Sequence, residues 1–190
     1  MAHPESTPAA PSAESGRSER TADRAASTPD VTRTRKRAAL SGFLFGCGIA
    51  AAMIDLFIFH LGLQWHHFYD LSTHEVALVT DGFFHAFAWF ITVWGLFMLA
   101  DVRRRGGVQW PHWAGAVVLG VGSFQLFDGI VDHKLLGIHQ IRYGVDLLPY
   151  DLVWNGTAVI LMLVGYLVMR RGVRAYRAAG WARGPWFSPG

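Results

Sequence analysis

Four long apolar runs set the terms for anything this chain can fold into. They cover about residues 38–63, 76–100, 113–136 and 151–169. Each is close to the roughly 20 residues that an α-helix needs to cross the hydrocarbon core of a bilayer. In lipid every backbone amide and carbonyl needs a partner within the protein, which leaves helices or a closed barrel. A barrel would show short segments alternating apolar and polar residues, and none is present. The expected fold is all-α, an integral membrane four-helix bundle.

Charge placement fits the same picture. Of the 190 residues 52% are hydrophobic and 16% charged, which is few charges for a soluble protein. The net charge of +3 does not mark a nucleic-acid binder, because the basic residues fall in short blocks beside the apolar runs rather than on one face. Arg33, Arg35, Lys36 and Arg37 precede the first run; Arg103, Arg104 and Arg105 follow the second; Arg170, Arg171, Arg174 and Arg177 follow the fourth. The other two connections hold only Lys134 and Arg142. Basic residues stay on the cytoplasmic side of a membrane, so both termini and the middle loop are expected there. The expected organisation is a disordered tail over 1–37, a transmembrane domain over 38–177 and a short tail over 178–190. The first tail lacks aromatics and periodicity, and such a composition cannot bury enough surface to offset its ordering entropy. The single cysteine, Cys47, excludes an internal disulfide and a thiolate metal site.

The half of the bundle facing away from the basic blocks carries the chemistry. His60, His66, His67, His74, His85, His133 and His139 all lie there, with Asp55, Asp81, Asp128, Asp132 and Asp151 in or beside the apolar runs. An ionisable group at that depth is expensive and normally faces the bundle interior with a partner.

These residues also recur. Asp55-Leu-Phe-Ile-Phe-His60, with His66 six further on, matches Asp128-Gly-Ile-Val-Asp-His133, with His139 six further on. Asp81-Gly-Phe-Phe-His85 matches Asp151-Leu-Val-Trp-Asn155. This predicts two tandem two-helix repeats, 38–100 and 113–169, of like topology, with both polar sets at one level. Asp81 and His85 are neighbours on one helical face. Asp55 and His60 are five apart, about 140° around and 7.5 Å along an ideal α-helix. They meet at one ion only if the helix is distorted, for instance by a π-bulge.

The runs Phe127 to His139, Leu63-Gln-Trp-His-His67 and Asp81 to His85 resemble an uncharacterised bacterial family known only as predicted membrane proteins. The resemblance covers roughly 41–169 and implies a multi-pass protein of the bacterial plasma membrane, with no activity attached. Where the family pattern reads D-G-I-x-x-H, the first copy here has Leu56 in place of the glycine.

Three functional classes follow from the residues. The first is a metal site with His60, His66, His85, His133, His139 and Asp81 as ligands, and Asp55, Asp128, Asp132, Asp151 and Asn155 as supporting partners or alternative ligands. Without thiols, such a set suits iron, copper, zinc or manganese, and four-helix bundles build dinuclear carboxylate–histidine sites this way. Redox chemistry or metal handling is favoured, with metal-dependent hydrolysis as an alternative. The second is a haem-binding electron carrier with two axial histidines, which the many acids count against. The third is a proton or ion pathway, which the apolar inner half of the helices counts against. Against all three stands a purely structural network of Asp and His fixing helix register. His67 and His74 read as solvated loop histidines, and Asp70, Glu75 and Asp146 as loop or capping acids. The bilayer is the one partner implied; a membrane-protein partner or a second copy stays open.

Overall fold

The computed structural model describes residues 31–178. Among them the chain is helical without strands, and four helices are long and apolar enough to cross a membrane. Helix α1 (Val31–Ile49) runs on without a break into a π-wound segment, π1 (Ala50–Gly62). After a loop come α2 (His74–Gly106) and then α3 (Trp110–Phe127), which continues into a second π-wound segment, π2 (Asp128–Leu136). A second loop leads to α4 (Leu147–Ala178). Residues 31–37, expected in the tail, are helical, so α1 starts ahead of the predicted boundary at 38. The rest of the N-terminal tail and nearly all of the C-terminal one lie outside the described residues.

The bundle is apolar outside and polar or small inside. Phe83, Phe87, Phe90, Trp94 and Phe97 of α2 are exposed, as are Leu152, Val153, Ile160 and Leu163 of α4. A surface like that belongs in hydrocarbon. Inside sit Ala50, Ala51, Ala52, Ala88 and Ala158 together with buried Asp and His. With no hydrophobic drive between helices in lipid, small residues that permit close approach do the packing. A Cβ on Gly46 would strike the Val117 carbonyl, and one on Gly120 the Phe43 carbonyl, so α1 and α3 touch backbone to backbone. Gly48 meets Ala88 and Thr92 on α2, where Ser41 also donates to the Gly95 carbonyl at 2.7 Å. Gly122 and Gly165 join α3 to α4 in the same manner. Thus α1 and α3 form the central pair, with α2 seated on the first and α4 on the second.

One end of the bundle gathers the basic blocks. Asp101 pairs there with Arg37 at 3.2 Å and with Arg105 at 2.9 Å. At the other end the loops 63–73 and 137–146 meet, and the Asp70 amide donates to the Ile138 carbonyl at 2.9 Å. Thr73 caps α2 by accepting from the Val76 amide, and Asp146 accepts from the Leu148 amide at the start of α4. Asp70 accepts from the His67 amide at 3.2 Å. These acids are loop and capping groups, as read from sequence.

A candidate metal centre

The two π-wound segments explain how residues five apart come to share a site. In each, backbone amides reach five residues back: Leu63 to Ile58 at 2.7 Å, and Gly137 to Asp132. This winding takes more residues per turn than an α-helix, so a five-residue spacing returns close to one face. Asp55 and His60 therefore point the same way, with Asp55 Oδ2 3.3 Å from His60 Nε2. Asp128 Oδ2 stands 3.2 Å from His133 Nε2 in the same arrangement. The second histidine of each motif folds back from its loop onto the same aspartate. His66 Nε2 is 3.7 Å from Asp55 Oδ1, and His139 Nε2 is 3.2 Å from Asp128 Oδ1. From α2, Asp81 Oδ1 and His85 Nε2 each lie 3.1 Å from His60 Nδ1.

The far side of the rings decides which nitrogen faces inward. His66 Nδ1 donates to the Ile141 carbonyl at 2.9 Å, His139 Nδ1 to the Phe68 carbonyl at 3.0 Å, and His85 Nδ1 to the Ala51 carbonyl at 2.9 Å. A carbonyl only accepts, so in all three the proton is on Nδ1 and the Nε2 lone pair faces the cluster. Metal-binding histidines are held this way, with the outer N–H anchored and the inner nitrogen free. The first loop's His66 anchors on the second loop, and the second loop's His139 anchors on the first. Each loop thus fixes the other's histidine.

Inside, polar atoms are left without hydrogen-bond partners. They include Asp55 Oδ1, Asp128 Oδ2, Nε2 of His60, His66 and His139, and both ring nitrogens of His133. The carboxylate contacts above are close, yet not aligned as hydrogen bonds. A buried orphan costs about 1–3 kcal/mol, so several in one place call for a cation or water to satisfy them. The donor atoms fall into three compact groups: Asp55, His60 and His66; His60, Asp81 and His85; and His66, His133 and His139. Within each, the ligand atoms lie within 4.8 Å of one another and all the residues are buried. Burial opposes a charge on His139, but the Asp128 carboxylate beside its ring outweighs that and raises its pKa. The field that favours a proton on that nitrogen equally favours a metal cation.

All six residues expected as ligands meet in this cluster, with Asp55 and Asp128 among them. The aspartates face the inward nitrogens, while backbone carbonyls take the anchoring role. Asp132 is buried in π2 but belongs to none of the three groups. Asp151 and Asn155 stand apart from them. Asp151 pairs with Lys134 at 2.6 Å, and Asn155 lies against Gly129 and donates to the Asp151 carbonyl at 2.9 Å. So α4 supplies none of the grouped residues.

His67 corrects the reading as a solvated loop histidine. Its Nδ1 is 2.7 Å from Asp81 Oδ2, while the Phe68 amide donates to Asp81 Oδ1 at 2.6 Å. His67 therefore fixes the carboxylate that faces His60. No repeat counterpart marked it, and only its nearness to His66 was a signal. His74 is exposed, as expected, and touches only the His67 ring among these histidines. His67→Ala is expected to weaken zinc binding about 10–100-fold, as loss of an orienting partner does, while His74→Ala changes it little. Equal effects in a zinc titration would show that the His67–Asp81 contact positions nothing.

Comparison with known proteins adds one match. The family described as predicted membrane protein (DUF2243) matches residues 41–172, which takes in all four helices and every residue of the cluster. No curated protein and no solved structure matches the chain.

Proposed function

We propose that this chain, which belongs to the DUF2243 family of predicted membrane proteins, is a membrane metalloprotein whose centre is the Asp/His cluster. The observation that carries the reading is the set of inward Nε2 lone pairs on His66, His85 and His139, tethered from behind by backbone carbonyls. A network serving only helix register has no need to aim Nε2 of His66 and His139 at carboxylates and leave both without a hydrogen bond. His60, His66, His85, His133, His139 and Asp81 would hold the metal, with Asp55 and Asp128 as carboxylate ligands beside them. Imidazole and carboxylate donors suit iron, copper, zinc or manganese. A bound transition ion would supply redox or Lewis-acid chemistry, and redox chemistry or metal handling fits a buried site better than hydrolysis, which needs water. Haem fits poorly: the inward nitrogens meet carboxylates or imidazoles at 3.1–3.7 Å, and this close set leaves no room for a macrocycle.

The basic blocks around Arg37 and Arg103 to Arg105 support a cytoplasmic position for both termini, and with it the centre would lie in the outer half of the plasma membrane. Elemental analysis and an absorption spectrum of the detergent-purified chain test the reading. Stoichiometric iron, copper, zinc or manganese without a Soret band is expected. A Soret band would select haem instead. Protein that stays metal-free after supply of all four metals would sink the metal reading.

A further inference from the structure

We propose that the cluster holds two divalent ions rather than one, in pockets of unequal access. The inference rests on the metal reading above and adds the number of ions and their exchange behaviour. Its first ground is span. Ligands at about 2.0–2.2 Å from an ion lie within about 4.4 Å of each other. Each of the three donor groups approaches that size, but they overlap end to end through His60 and His66. No group joins Asp81 and His85 at one end to His133 and His139 at the other.

Charge is the second ground. Asp55, Asp81, Asp128 and Asp132 are all 3–5% exposed. Among the described residues no Lys or Arg pairs with any of them, since Lys134 is taken by Asp151. Uncompensated charge is costly in a low-dielectric interior. With neutral imidazoles, one divalent ion leaves two negative charges over, and two divalent ions balance all four carboxylates.

The pockets differ in cover. One ion is assigned to His60, Asp81 and His85, and the other to His66, His133 and His139 beside Asp128. Asp55 lies between them, touching His60 on one side and His66 on the other. The side chains of His66 and His133 are 0% exposed, whereas those of Asp81 and its partner His67 are 8% and 20% exposed. The first pocket is therefore the exchangeable one, and both loops enclose the second.

The test uses the full chain in detergent, stripped with chelator and reloaded with Zn²⁺. Two zinc ions per chain are expected by plasma mass spectrometry, one leaving to EDTA at least about tenfold faster than the other. His85→Asn places in α2 the residue that α4 has at Asn155; it should keep one ion, the slow one. His139→Gln should keep one ion, the fast one. Should either variant fail to give a folded peak by gel filtration, Asp81→Asn and His133→Gln repeat the two arms. One zinc per wild-type chain would overturn the two-ion proposal and leave the metal reading standing. Two ions leaving at one rate would overturn the unequal access. A chain that takes up no zinc, iron, copper or manganese would overturn both.

Discussion

His60→Ala is expected to lose at least half of its bound metal and most of the thermal stabilisation that added zinc confers on the wild-type chain. His60 belongs to two of the three donor groups, and both its nitrogens face partners: Asp55 at 3.3 Å on one side, Asp81 and His85 at 3.1 Å on the other. An ion that binds only the folded state adds about 2.7 kcal/mol at one hundred times its Kd. Removing a ligand forfeits most of that. The variant should also melt lower in chelator, because deleting one member of a buried charged set costs about 3–5 kcal/mol. The chelator measurement alone does not separate the readings. The difference between melting curves with and without zinc does, and a wild-type chain whose melting point no transition metal moves is a network without a metal.

Gly46→Leu is expected to lower the melting temperature sharply and remove bound metal together, although Gly46 lies nine residues from Asp55, two turns or more along the helix. The obstacle is backbone: its Cβ would meet the Val117 carbonyl oxygen, with Val117 C at 2.9 Å and Cα at 3.1 Å. A side chain rotates away from a clash and a helix backbone does not, so α1 and α3 must part. Overpacking of this kind costs about 1–3 kcal/mol and occasionally more. Those two helices carry π1 and π2, so separating them pulls Asp55 and His60 away from Asp128 and His133. Gly82→Ala and Gly156→Ala are the controls, since nothing lies within 4 Å of a Cβ at either place. Both should leave melting and metal content within error or slightly improve stability, given alanine's helix propensity. Metal retained in full by a destabilised Gly46→Leu would show that the helix spacing does not set the centre.

Much of the molecule was legible from residues alone, because lipid makes simple demands. A span must be apolar and long enough, so four runs meant four helices. Ionisable groups at depth must serve a purpose, so His60, His66, His85, His133, His139 and Asp81 were singled out, and the fold brings them together. Tertiary structure decided what side-chain identity does not encode. An α-helix puts Asp55 and His60 on different faces; π winding aligns them, and the turn chosen in lipid depends on packing and carbonyl partners outside the motif. The ring anchors for His66, His139 and His85 are the carbonyls of Ile141, Phe68 and Ala51, and every residue has a carbonyl, so no sequence pattern marks which one is used. His67 reaches Asp81 because the first loop turns back over the bundle, whereas its spacing from Asp81 suggests nothing. Asp151 matched Asp81 in sequence, but Lys134, four residues beyond Ile130 on π2, reaches it first and takes its charge.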